Sequence, residues 1–222
     1  MKAFLLSAGE GKRLLPLTES KPKSLLKVGG NPLILWNIER LIKEGVDELI
    51  VNLFHEGKQI RDFLGDGSRF GIEINYSYET ELLGTGGGVG KALDMIGEEP
   101  FLLISSDVWT DFEFSTLSLT SDVIAHLVLI ENPKNNLEGD LFLEGNIVKP
   151  FGPGKNLTFS GIALIHPSAF QDELKGYYEL WKEVLLPASE RGLVTGEVFN
   201  GSLVNVNSID DLEKLDAYLA EE

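Results

Sequence analysis

Five cations, Lys12, Arg13, Lys21, Lys23 and Lys27, crowd into residues 7–27 (SAGEGKRLLPLTESKPKSLLK) beside Gly9 and Gly11. Arginine offers an anion a planar fork and lysine a point charge, while glycine lets backbone N–H groups approach it closely. The rest of the chain sharpens the contrast, because the formal net charge is -16, from 19 Lys+Arg and 35 Asp+Glu. Residues 1–27 hold six cations (2, 12, 13, 21, 23, 27) and two acids (10, 19), a local +4, so the other 195 residues carry 13 minus 33, or -20. Taken alone, such a segment is a solvated basic loop with turn glycines; against a background of -20 it points to a polyphosphate site. Asp107 supplies the complementary chemistry, since Mg2+ takes one or two carboxylates together with substrate phosphates. Its plainer alternative is a helix cap before DFEF. The TGGG run at 85–88 offers bare backbone to a flat base or ribose, or simply opens a helix. Together these features describe a nucleoside triphosphate pocket.

Other phosphate motifs fit less well. Leu14 stands where a dinucleotide fingerprint needs its third glycine, and around Lys91 a P-loop would need glycine at Thr85 and a hydroxyl at Ala92. His55, His126 and His166 have no ligand spacing, and with no cysteine in the chain a thiolate metal site and a disulfide are both excluded.

The elements that must position these groups alternate. Apolar runs at 2–7, 48–52 and 101–105 read as buried strands, with a further strand at 72–78 and helical spacing at 33–42, 58–64 and 85–96. This pattern predicts a βαβ start and a parallel sheet covered on both faces. Loops that follow such strands lie at the carboxyl edge of the sheet, where ligands of open α/β folds bind. After residue 110 the texture changes to strands at 125–130 and 159–165, a hairpin at 140–149 and a helix at 180–191. Asn200-Gly201 predicts another hairpin, and Ser208 with Asp211 predicts the cap of a last helix. The expected architecture is a single α/β domain over 1–222, Rossmann-like, with a mixed, mostly parallel central sheet flanked by helices. Residues 1–110 form its nucleotide-binding half and 111–222 its sugar-phosphate-binding half.

Composition limits the classes of function. The acidic balance and a pI near 4.6 would repel a phosphate backbone, so no nucleic-acid partner is expected. The N-terminal apolar run is too short for a signal-peptide core and no later run approaches a membrane span, so a cytoplasmic location without membrane contact is expected.

GEGKRLLPLTESKPKSLLKV at 9–28 resembles the signature of the sugar-phosphate nucleotidyltransferases, roughly GxGxRxxPxTxxxPKPLxxV, with Ser24 in place of the second proline. LGDGSRFGI (64–72), LGTGGGVGKAL (83–93), PFLLISSDVWTD (100–111) and LTFSGIALIHP (157–167) are similar to the N-acetylmuramate 1-phosphate uridylyltransferase branch of that family. The resemblance implies a GT-A-like fold and a Mg2+-dependent reaction in which UTP and N-acetylmuramate 1-phosphate give UDP-N-acetylmuramate and pyrophosphate, in peptidoglycan recycling. It implies that Arg13 holds the β and γ phosphates, that Lys23 reaches the nucleotide's phosphates, and that Asp107 holds the metal. Ala8, Gly9, Gly11, Glu79, Gly86 and Gly87 would meet the nucleotide. Gly139, Lys149, Gly161 and Glu197 would meet the sugar phosphate, although Val148 replaces a family Glu. Two departures fall on the metal. Ser106 replaces a Gly before Asp107, and Asn205 replaces the second metal-binding Asp, which implies weaker Mg2+ binding. Two alternatives therefore stand beside the implied reaction: transfer from another nucleotide, such as GTP, to a different hexose or heptose 1-phosphate, and a nucleotide-sugar binder of weakened activity.

Overall fold

The computed structural model describes residues 1–134, 136–150, 156–170 and 175–220. Along the chain come β1 (Lys2–Leu6), the short β2 (Lys27–Val28) and β3 (Asn31–Pro32), α1 (Leu33–Lys43), β4 (Glu48–Leu53), α2 (Gly57–Leu64), β5 (Glu73–Tyr78), α3 (Gly84–Lys91) and α4 (Leu93–Ile96). Next are β6 (Phe101–Ser105), β7 (Val108–Thr110), β8 (Ala125–Ile130), β9 (Phe142–Glu144), β10 (Ile147–Lys149) and β11 (Thr158–Ile165). A π-helical turn at Leu180–Leu185 runs into α5 (Leu186–Glu190), and β12 (Val194–Val198), β13 (Leu203–Asn205) and α6 (Ile209–Ala220) follow.

One nine-stranded sheet has the order β5-β4-β1-β6-β11-β8-β12-β10-β9. The pairings run β5, β4, β1, β6, β8, β12 and β9 one way and β11 and β10 the other, a mixed and mostly parallel sheet as expected. Its continuous apolar strands are buried on both faces, which is what parallel strands under helices require. One face packs Phe4, Leu103, Leu127 and Ala163 against Val89, Ile96 and Val184. The other packs Ala3, Leu5, Leu102 and Ile104 against Ile34, Ile38 and Leu41 of α1. Those three recur at helical spacing on one face of α1, and the helix stops before Gly45, at a positive φ of 85°.

The sequence goes from β1 outward to β4 and β5, then returns to the opposite side of β1 as β6. This reversal puts the carboxyl ends of β1 and β6 side by side, with Leu6 paired to Ser105 and Ser106 N–H donating to Leu6 O at 3.0 Å. A crevice opens at such a reversal.

The hairpin expected at Asn200-Gly201 does not form. β12 is already paired on both edges, with β8 and β10, so β13 finds its partner in β7 instead. Ser202 makes the crossing: its N–H donates to Asp111 Oδ1 at 2.8 Å and its carbonyl accepts from Asp111 N–H at 3.1 Å. The Ser208 cap does form, with Asp211 N–H donating to Ser208 Oγ at 3.2 Å and Ser208 Oγ–H to Asp211 Oδ2 at 2.8 Å. The helix expected over 85–96 is interrupted at Ala92, and the one over 180–191 opens in the π form.

Candidate active site

β1 delivers Ser7, Ala8 and Gly9 to the crevice, and β6 delivers Ser106 and Asp107. The basic segment then folds back over this edge as two short 3-10 turns, Lys12–Leu14 and Lys23–Leu25. Leu14, Leu25 and Leu26 are buried beneath it, each such side chain contributing about 1.5–3 kcal/mol. Polar ties complete the anchorage. Thr18 Oγ1–H donates to Gly11 O at 2.8 Å, His55 Nε2 lies 3.1 Å from Thr18 O, and Gln59 Nε2–H donates to Ser20 O at 2.8 Å. Gly11 must turn at a φ of +63°, and a Cβ there would also strike Thr18 at 2.9 Å.

Lys23 Nζ lies 2.5 Å from Asp107 Oδ2, with the two side chains 14% and 26% exposed, and 3.4 Å from Asn207 Oδ1. β13 carries Asn205 and Asn207 to this point because Val206 N–H donates to Asp107 O at 2.9 Å. Arg13 is exposed and borders the same mouth with Gly9, Gly11, Lys23, Asp107 and Asn207. Inward lies a cleft of about 270 Å³ between two walls. Ser7, Ala8, Gly9, Lys23, Ser106 and Asp107 form one wall; Leu82, Gly84, Thr85, Tyr177 and Glu179 form the other. A Cβ on Gly9 would meet no protein atom within 4 Å. Its missing side chain therefore leaves backbone open to a ligand rather than relieving a clash.

The matching family model is that of the nucleotidyl transferases, over residues 2–126. The chain is 39% identical, over 98% of its length and 97% of the relative's, to the N-acetylmuramate alpha-1-phosphate uridylyltransferase of Neisseria meningitidis serogroup B. The chain belongs to the nucleotidyl transferase family. It is a sugar-1-phosphate nucleotidyltransferase. A mannose-1-phosphate guanylyltransferase catalytic subunit beta from Dictyostelium discoideum is 40% identical over 53% of the chain and 33% of its own length. In fold, the enzyme matches a UDP-glucose pyrophosphorylase complexed with UDP-glucose at a TM-score of 0.81 and 19% identity, covering 100% of this chain and 99% of that one.

The structure brings Ala8, Gly9, Gly11, Arg13, Lys23 and Asp107 together, with Asn205 close by on β13. Other expected groups stand elsewhere. Gly86 and Gly87 donate both their N–H groups to Tyr178 O, at 3.0 and 3.1 Å, and their Cα faces pack against residues 176–180. They hold the second wall in place, and Gly84 and Thr85 line the cleft in their stead. Glu79 is only 8% exposed and turned away into a buried hydrogen-bond network. Lys149 lies on β10, four strands from β6, about 19 Å across the sheet at 4.8 Å per strand. Glu197 faces His126 Nε2 at 3.4 Å on β8, and His126 Nδ1 lies 2.9 Å from Thr195 Oγ1.

Two expected sugar-side glycines occupy positions where the backbone itself needs glycine. Gly161, at a φ of +85°, lies in the bulge of β11, where a Cβ would come within 2.9 Å of Ser105 Oγ. Gly139, at +70°, would strike Asn132 and Asn156. A second cavity, of about 360 Å³, adjoins the mouth through Asn205 and Asn207 and is lined also by Asn136, Thr158 and Ser160.

Asn52, Tyr177 and Glu179 were not singled out by sequence pattern, and Thr85 only as the start of the TGGG run. Asn52 carried a signal: a polar residue inside the apolar run ELIVNL, 1% exposed. Thr85 Oγ1–H donates to Glu179 Oε2 at 2.9 Å and accepts from Leu180 N–H at 2.9 Å, while Tyr177 O–H donates to Glu179 Oε1. No pattern pairs residues 94 positions apart.

Proposed function

We propose that the enzyme transfers the uridylyl group of UTP to N-acetylmuramate 1-phosphate, giving UDP-N-acetylmuramate and pyrophosphate, with Mg2+ as cofactor. The observation that carries this reading is the meeting of Lys23 and Asp107 at the β1–β6 reversal, beside the open backbone of Gly9. The 39% identity to the Neisseria enzyme along nearly the whole chain supports the choice of substrates. Residues 1–110 supply most of the 270 Å³ cleft that holds the nucleotide, with Tyr177 and Glu179 closing it, and residues 111–222 hold the sugar in the adjoining cavity, whose amides and hydroxyls stand beside Asp211 and Lys214. The product would return N-acetylmuramate to cell-wall synthesis in the cytoplasm.

A phosphate dianion must attack the α-phosphorus of an already anionic triphosphate, so mutual repulsion is the main barrier. Cations and alignment lower it; a protein nucleophile is not needed. Arg13 clamps the departing pyrophosphate with its bidentate fork. Lys23 neutralises charge between the two substrates, and its present contacts with Asp107 and Asn207 hold its ammonium at the mouth. The donor set suits Mg2+: one carboxylate from Asp107, amide oxygens from Asn205 or Asn207, and the phosphates themselves. Mg2+ held by Asp107 and these amides would supply further neutralisation of the phosphate charge. The pyrophosphate leaves without needing a proton.

Pyrophosphate release with each of four nucleoside triphosphates against a panel of sugar 1-phosphates tests the reading. UTP with N-acetylmuramate 1-phosphate is expected to give the highest kcat/KM. A better pair, such as GTP with a hexose 1-phosphate, would reassign the substrates, and tight nucleotide binding without turnover for any pair would make the protein a binder.

A further inference from the structure

Both oxygens of the buried Glu79 carboxylate are engaged, and they reach opposite sides of the nucleotide cleft. Oε1 accepts from Asn52 Nδ2–H at 2.7 Å, and Oε2 accepts from the N–H of Leu83, the residue just before α3, at 3.1 Å. Asn52 passes the link on, because its Oδ1 accepts from Ser7 N–H at 2.7 Å. The amide can satisfy both neighbours in one orientation only, with Nδ2 towards the carboxylate and Oδ1 towards Ser7. Gly88 keeps the link free of obstruction: a Cβ there would lie 2.7 Å from Asn52 Nδ2 and 2.8 Å from Glu79 Oε1. The third glycine of the run thus serves the carboxylate–amide pair.

We propose that Glu79 is a positioning residue that couples the two walls of the nucleotide cleft. Through Asn52 it fixes the backbone of Ser7, Ala8 and Gly9, and through Leu83 it fixes Gly84 and Thr85 across from them. The proposal rests on the reading that the triphosphate occupies this cleft. The ionised carboxylate serves both partners best, since both are donors and a proton on either oxygen takes up a lone pair that would accept. Burial pushes the Glu79 pKa upward; hydrogen bonds from Asn52 and Leu83, and the charge of Lys91 on α3, work against that rise. The links are present above the Glu79 pKa and are lost as pH falls through it, so KM for the triphosphate rises towards acid.

The test compares KM and kcat for UTP between pH 5 and 8 in the wild type, Glu79→Gln, Asn52→Ala, the double variant, and Lys23→Ala as a control. Glu79→Gln keeps the shape but offers one acceptor where two are required. Its KM is expected to rise about tenfold at pH 8, the cost of one lost hydrogen bond to a charged group, with kcat within about threefold and a flatter acid limb than the wild type. Asn52→Ala is expected to match it, and the double variant to be no worse than either alone. Three results would overturn the proposal: unchanged KM in Glu79→Gln, effects that multiply in the double variant, or an altered preference among the four bases, which would mean Glu79 touches the base itself. If Glu79→Gln does not fold, Asn52→Ala decides, its KM rising or not. Lys23→Ala separates the two levels. If it too leaves KM unchanged, the triphosphate lies elsewhere; if it alone loses affinity, only the role of Glu79 falls.

Discussion

Lys23 and Asp107 form a contact that a substrate-laden site must rearrange, because each is also a group that phosphate or metal would seek. Their ion pair is part-buried at the mouth, where water still reaches both groups. Around them stand amides. Asn207 Oδ1 faces Lys23, and Asn205 lines the neighbouring cavity. An amide oxygen ligates a metal without adding negative charge, so Mg2+ on the proposed site would be held less tightly than between two carboxylates. Asn205→Asp is expected to lower the Mg2+ concentration for half-maximal rate by about five- to tenfold, roughly 1–1.4 kcal/mol. A titration with no shift would remove position 205 from the metal site. Arg13, Lys23 and Asp107 were legible because their charge and position after apolar strands carry chemical meaning on their own. The surroundings of Glu79 were not legible: the resemblance implies a nucleotide contact, and only the fold reveals that Asn52 and Leu83 engage both its oxygens.

Glycine does two different jobs at this site, and the elements that hold each residue decide which. Gly9 ends the β1 loop with nothing within 4 Å of its would-be Cβ, whereas at Gly86 in α3 that atom would lie 2.5 Å from the Tyr178 ring and 2.9 Å from Leu180 N. Gly9→Ala is therefore expected to leave Tm unchanged while raising KM for the triphosphate. Gly86→Ala is expected to cost about 1–3 kcal/mol through overpacking, a fall in Tm of about 2–12 °C for a chain of this size. Calorimetry beside steady-state kinetics checks both, and the reverse pattern would exchange their roles. Strands with continuous apolar runs, β6 and β8 among them, were legible to the residue. Pairing was less so: Asn200-Gly201 is a strong local turn signal, yet β12 had no free edge, a fact set by strands that lie far from it in sequence. The place of Lys149 was equally hidden, since only the sheet order sets β10 four strands from β6.

At the scale of the whole molecule, the fold converts a chain of net charge -16 into one with a cationic edge. The reversal of strand order around β1 fixes where that edge lies, and the loop of residues 7–28 brings the cations to it. Among the described residues, no helix is long and apolar enough to cross a membrane. The same reversal gathers Gly9, Lys23 and Asp107 from segments up to 98 positions apart onto one crevice. Transfer at that crevice requires the Asp107 carboxylate. Asp107→Asn keeps the size of the side chain and removes its charge, so the fold should survive. Under saturating Mg2+ and with UTP varied, its kcat/KM for pyrophosphate release is expected to fall at least about 100-fold, roughly 2.7 kcal/mol of lost transition-state stabilisation, with Tm close to the wild type. A folded Asp107→Asn enzyme that turns over at near wild-type rate would contradict that requirement.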